Sequence, residues 1–122
     1  METDIPTLGR IEKELSLVCL AEPRQDSEID TGFVSDVLSE VLARAAHGSV
    51  LVTAQSGLNV VAVASFTGLP AVIVTSGHQP GEEVVYRARE EGVGLYTTAA
   101  ETFEVVAGLA RLGVAGRAPE AS

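Results

Sequence analysis

The stretch Ser49–Gly77, SVLVTAQSGLNVVAVASFTGLPAVIVTSG, decides the fold. It holds two short β-branched runs, Val50–Thr53 and Ala71–Thr75, and each runs out into small polar residues and glycine. Thr53-Ala54-Gln55-Ser56-Gly57 ends the first, and Thr75-Ser76-Gly77 ends the second. Between them an apolar segment opens at Asn59 and closes at Gly68-Leu69-Pro70. Its β-branched content permits a strand, with Gln55–Asn59 as a hairpin loop and an antiparallel meander as the result. Ala62, Ala64 and the ten-residue length of Leu58–Thr67 favour a helix. So does the alternation of helices and strands downstream, which a parallel sheet requires. With a helix there, the two runs are neighbouring parallel strands whose polar loops open on one edge. That is the edge at which open α/β sheets bind ligands.

The totals fit one domain. A chain of 122 residues, 46% hydrophobic, can bury a real core. With three Phe, two Tyr and no Trp, the core has to be built from Val, Leu, Ile and Ala. Eight basic residues against seventeen acidic give a net charge of −9, so a nucleic-acid backbone or an anionic membrane would meet repulsion. An anionic small ligand stays open, because helix N-termini hold phosphate without a lysine. The one cysteine, Cys19, lies in an apolar run and reads as a buried thiol, which points to a reducing, cytoplasmic setting. No basic segment followed by an apolar one opens the chain, so no signal peptide is expected. The apolar window Val50–Val74 is broken by Gln55, Asn59 and Pro70 and reads as core, not as a membrane span.

Outward from the centre, residues 1–14 mix Ile5, Leu8 and Ile11 with charges at helical spacing and predict an N-terminal helical extension. Leu15–Leu20 and Ile29–Val34 read as strands, with a polar turn-rich loop at Glu22–Ser27. Asp36–Ala46 reads as a helix with Val37, Leu38, Val41, Leu42 and Ala45 on one face, Ser35 as N-cap and Gly48 after its end. Pro80 opens a further helix that carries Glu82 and Glu83 at its positive end and turns Val84, Val85 and Ala88 inward, with Gly92 closing it. Gly94–Thr97 is a short strand. Thr98 and Glu101 stand at capping-box spacing for Ala99–Leu112, a helix expected to bury Phe103, Val106, Leu109 and Ala110. Residues 15–113 then form the domain, and 114–122 a flexible tail. The expected fold is a single three-layer α/β domain with a mostly parallel sheet of four to five strands and helices on both faces.

Three strand ends deliver hydroxyls and amides to one edge: Thr53, Gln55, Ser56 and Asn59; Thr75, Ser76, Gly77 and His78; Thr97 and Thr98. Short polar side chains with glycine let a ligand approach the backbone. The plain alternative is that these are ordinary loop and cap residues, and capping alone accounts for Thr98. Catalytic signatures are missing. There is no GxxxxGK[ST], no GxGxxG after a strand and no Gly-x-Ser-x-Gly elbow. His47 ends a helix beside Gly48, and His78 has neither a second histidine nor a cysteine pair near it, so no metal is expected. Asp30 and Asp36 read as solvated or helix-start charges. No catalytic residue and no cofactor are expected.

Ser35-Asp36-Val37-Leu38-Ser39 with Ala43-Arg44, then Thr53-x-Gln55 with Asn59 and Ala62-Val63-Ala64, then Thr75-x-Gly77 and Thr102-Phe103, form an ordered set. In these residues the chain resembles a DRTGG domain, and it is similar to the N-terminal domain of HPr kinase/phosphorylase. The resemblance spans about Leu15–Gly113. The family's Asp-Arg pair is not visible, and Ser76 stands second in the Thr-Gly-Gly end. The resemblance implies a parallel α/β fold, frequent homodimerisation and a regulatory, non-catalytic role.

The combined expectation is a homodimeric regulatory module that senses a small anionic metabolite or nucleotide at the carboxyl edge of its sheet. A ligand-free protein–protein interaction domain is the alternative.

Overall fold

Val50–Thr53 and Ala71–Val74 are strands, and Leu58–Thr67 between them is a helix, so the crossover reading holds over the meander. The structure, a computed structural model, describes residues 5–116. In chain order it has α1 (Leu8–Glu14), β1 (Val18–Ala21), β2 (Thr31–Val34), α2 (Leu38–Arg44), β3 (Val50–Thr53) and α3 (Leu58–Thr67). Then come β4 (Ala71–Val74), α4 (Glu82–Glu91), β5 (Gly94–Thr97), α5 (Thr102–Arg111) and β6 (Ala115–Gly116).

The sheet runs β1-β5-β4-β3-β2-β6. All neighbours are parallel except β1, which lies antiparallel to β5 at the edge. From β2 to β5 the chain steps across the sheet in one direction, and crossovers of one hand then put α2, α3 and α4 on the same face. Val41, Val60, Val61, Ala64, Val84 and Ala88 from these helices pack there on Leu51, Val72, Val74 and Leu95. After β5 the chain reverses, and α5 crosses the other face to set β6 beside β2. On that face Leu8, Ile11, Val105 and Leu109 cover Val50, Val52, Ala71, Ile73 and Tyr96. Alternate residues of β3 and β4 thus enter different cores. This is why both strands are continuous apolar runs, with every residue buried.

The three-layer α/β fold with a mostly parallel sheet is as expected, but among the described residues the sheet has six strands, not four to five. The sixth is the two-residue β6, inside what the sequence assigns to the tail. Val114 is buried, and Ala115 and Gly116 pair with Thr31 and Gly32. The rest of that stretch, 117–122, lies outside the described residues, as do residues 1–4. α1 buries Leu8 and Ile11, with Thr7 Oγ1 accepting from the Arg10 N–H and Asp26 Oδ1 from the Gly9 N–H. These two bonds satisfy first-turn donors that the helix cannot.

Two helices differ from expectation. α2 is seven residues long and buries Val41, while Val37 and Leu42 are half exposed. Ser35 does not cap it, because its hydroxyl takes the Val37 N–H in a local turn and its own N–H continues the ladder to the Val52 carbonyl. α5 starts at Thr102, with no side-chain cap bond from Glu101, and buries Val105, Gly108 and Leu109. Phe103 is left 82% exposed, and Val106 and Ala110 also face outward. Gly108 sets this rotation, because its missing side chain makes room for Leu15.

Candidate functional site

Because β2, β3, β4 and β5 are parallel, their carboxyl ends form one rim. There the structure gathers the sequence-predicted residues into two hydrogen-bonded groups and one open loop.

The first group is built on Asp36, just past β2. Its Oδ1 accepts from Thr53 Oγ1 at 2.9 Å and from the Ala54 N–H at 2.8 Å. Thr53 Oγ1 in turn accepts from the Gln55 N–H at 3.1 Å, and Gln55 Nε2 donates to the Asp36 carbonyl at 2.9 Å. Thr53 is buried and Gln55 exposed. Both side chains are thus engaged in holding the β3–α3 turn against the β2–α2 turn.

The second group joins the β4–α4 and β5–α5 turns. Thr75 Oγ1 lies 2.7 Å from Thr102 Oγ1, and Ser76 Oγ donates to Glu101 Oε1 at 2.9 Å. Ser76 and Gly77 are both left-handed, with φ of 63° and 76°, which turns the chain sharply and aims their amides at the neighbouring loop. The Ser76 N–H donates to the Ala100 carbonyl, the Gly77 N–H to the Thr98 carbonyl and the Thr75 N–H to the Thr53 carbonyl. Thr98 Oγ1 accepts from the Ala100 N–H, so this hydroxyl closes a turn and does not cap α5. Thr75 and Thr97 are buried, Ser76 and Thr98 half-buried, and Gly77 and His78 exposed.

The open loop is 55–59. Ser56 is half-buried, and Gly57 and Asn59 are exposed. The backbone N–H groups of residues 56–59 donate to no protein acceptor among the described residues. These amides are the positive end of α3, whose first turn carries no acidic residue. Acidic residues stand in the first turn of every other helix that starts at this rim: Glu40 in α2, Glu82 and Glu83 in α4, and Glu104 in α5. An anion is therefore best received at the start of α3.

A cleft of about 430 Å³ lies at the opposite, amino edge. None of the ten rim residues lines it. Its wall is the segment between β1 and β2, and its floor is the turns after α2, α3 and α4, among them His47, Gly68, Leu69, Glu91 and Gly92. Arg24 Nη2 donates to the Glu91 carbonyl and the Arg24 N–H to that of Gly92, while Glu91 Oε1 accepts from Ser65 Oγ. The guanidinium thus sits on the negative end of α4. Of the two edges we take the carboxyl rim as the candidate site, because the free amides lie there.

The sequence reading missed Asp36, Glu101 and Arg24. Asp36 was readable in principle, since it follows the tip of the strand next to β3. Nothing in the spacing brings Glu101 to Ser76 or Arg24 to Gly92. Among the described residues no group of three His, Cys, Asp or Glu side chains is arranged to hold a metal. No helix among them is long and apolar enough to cross a membrane.

At the sheet edge, burial together with the carboxylates of Glu22 and Glu12 pushes the Cys19 thiol from 9.0 up to about 11. Burial is also the main cause raising Tyr96 beside it. The folded state therefore holds the thiol proton more tightly than the unfolded chain does. The associated stability is complete below 9.0 and is lost as the pH climbs through about 11. Near pH 8, alkylation of Cys19 by iodoacetamide should run about a hundredfold slower in the folded protein than in urea. Equal rates would show an exposed, ordinary thiol.

A scan against protein-family models finds no match, and a search of the curated proteins finds none. Among solved structures, the chain is similar to the CBS and DRTGG domains of the regulatory region of Clostridium perfringens pyrophosphatase, complexed with its activator, diadenosine tetraphosphate. The TM-score is 0.70 at 18% identity, over 88% of this chain and 47% of that one. This chain thus spans about half the length of that regulatory region, and what the two share is a fold.

Proposed function

We propose that this chain is a non-catalytic regulatory module of the DRTGG type that senses a small anionic metabolite or nucleotide at the carboxyl rim of its sheet, acting as a homodimer in the cytoplasm. The observation that carries this reading is the start of α3, with unengaged amides at 56–59, no acidic residue in the first turn, and Ser56 and Asn59 beside them. Thr53 and Gln55, bonded to Asp36, fix this loop, while Thr75, Ser76 and Thr98 join the two neighbouring turns of the rim and Thr97 is buried at the end of β5. Gly77 and His78 form the exposed opposite side of the rim. The shared fold with a regulatory region that binds a nucleotide activator supports the ligand class. Kinship with the N-terminal domain of HPr kinase/phosphorylase belongs to the same proposal.

Titration calorimetry with diadenosine tetraphosphate, ATP and AMP tests it. Binding to the wild type should weaken at least tenfold in Asn59→Ala and in Ser56→Ala, about 1.4 kcal/mol. Both positions are away from the core, so the variants should melt like the wild type. No heat from folded wild-type protein, with no ligand-dependent rise in melting temperature, would favour the ligand-free interaction domain. The amino-edge cleft supports a second reading, in which the ligand lies against Arg24 and Glu91. In that case Arg24→Ala would abolish the heat, and the two rim variants would not.

A further inference from the structure

The amino-edge cleft holds both a negative and a positive pole. α3 is the one described helix with no basic residue in its last turn, where Lys13, Arg44, Arg89 and Arg111 stand in α1, α2, α4 and α5. Its negative end opens on the cleft through Ser65 and Gly68. Glu91 adds a carboxylate at the same place, because its Oε1 accepts from Ser65 Oγ at 2.8 Å. The positive pole is Arg24. One of its N–H groups is engaged on the Glu91 carbonyl at 2.9 Å, and no carboxylate among the described residues lies within ion-pair distance of it.

The floor is shaped around these groups. A Cβ at Gly68 would run into the His47 ring, and one at Gly92 into the Arg24 guanidinium. Two buried hydroxyl oxygens find no hydrogen-bond partner among the described residues, Ser49 Oγ and Thr67 Oγ1. Their residues are the chain neighbours of Gly48 and Gly68, which line the cleft. Such atoms cost stability unless water or a ligand supplies a partner.

We infer that this cleft binds a free α-amino acid with an apolar side chain. The site is separate from the carboxyl rim and does not rest on nucleotide sensing there. The remaining Arg24 N–H groups take the carboxylate, to which a guanidinium fork is matched. The ammonium lies at the end of α3 beside Glu91, whose second carboxylate oxygen has no partner among the described residues. Pro23, Leu69, Pro70 and Val93 form the apolar part of the lining, against which the side chain packs. The volume of about 430 Å³ falls in the range of small-molecule sites. A plain anion would meet Glu28, Glu91 and the helix end, and a plain amine would meet Arg24. A zwitterion satisfies both poles.

Amide chemical-shift titration of the full chain with L-leucine tests this. Saturable shifts should gather at Arg24, Gly48, Gly68 and Gly92. Isocaproate, which lacks the amine, and isoamylamine, which lacks the carboxylate, should each bind at least tenfold more weakly. Leucine should lose as much with Arg24→Lys, which keeps the charge but not the fork, and with Glu91→Gln, which keeps an acceptor for Ser65 but not the charge. Should either variant melt well below the wild type, the two analogues on the wild type decide. Asn59→Ala, at the other edge, should bind leucine like the wild type, so this site and nucleotide sensing can fail separately. No saturable shift at these residues with L-leucine, L-valine or L-phenylalanine at about 10 mM would overturn the proposal. Equal affinity for either analogue would overturn the zwitterion, and binding that survives both substitutions would overturn the site.

Discussion

Ile73→Ala should lower the unfolding free energy by about 3–4 kcal/mol, a large part of what a domain of this size has. Ile73 is the third residue of β4, wholly shielded from solvent, in the core formed with Val52, Ala71, Tyr96, Val105 and Leu109. β4 lies between β3 and β5 and has helices over both faces. The cavity left by the lost atoms therefore has no mobile edge that could close it. Ile73→Val removes one methylene and should cost about 1 kcal/mol. Urea unfolding monitored by circular dichroism measures both. A loss below about 1 kcal/mol for the alanine variant would mean that β4 is not a central strand covered on two sides.

Asp36→Ala should have the next largest effect, and a more local one. It removes the acceptor of two bonds, from the Thr53 hydroxyl and the Ala54 amide. Bonds to a charged acceptor are worth more than neutral ones, but Asp36 is exposed and water replaces part of the loss, so about 2 kcal/mol is expected. The Thr53 hydroxyl also orients the Gln55 amide, so the disturbance spreads into the 55–59 loop. Amide exchange at Ala54 and Gln55 should speed up at least tenfold, with the β4 amides unchanged. Asp36→Asn keeps an acceptor at the same place and should restore most of the protection. If Asp36→Ala left exchange at Ala54 and Gln55 as in the wild type, Asp36 would not be what holds this turn. Nucleotide binding should fall with the loop, because the unengaged amides lose their fixed direction.

The central stretch was legible because its physics is local. β-branched runs ending in glycine and hydroxyl residues mark strands, and Ala62, Ala64 and Gly68 mark the crossover helix and its left-handed end. The parallel sheet and the shared rim follow from that one decision. Where long-range packing decides, the sequence misled. The face of α5 is set by Gly108 against Leu15, a contact that no periodicity reveals, so bulky Phe103 was expected inside and lies outside. β6 is two residues long, too short to carry a pattern, and exists because α5 returns the chain beside β2. In the site, the small polar residues were found by type, but their division of labour was not. Thr53, Thr75 and Ser76 are tied to Asp36, Thr102 and Glu101, which other loops supply. The amides of Thr75–Gly77 donate to carbonyls of neighbouring loops. The start of α3 differs from the other helix starts at this rim in carrying no acidic residue in its first turn, a contrast that exists only once the fold brings those starts to one edge.

The most direct test of ligand sensing at this rim is an amide chemical-shift map of the full chain titrated with diadenosine tetraphosphate. The largest saturable shifts should fall on Ser56, Gly57, Leu58 and Asn59, with smaller ones at His78. Shifts gathered instead on Arg24, His47 and Glu91, or none at saturating nucleotide, would contradict it.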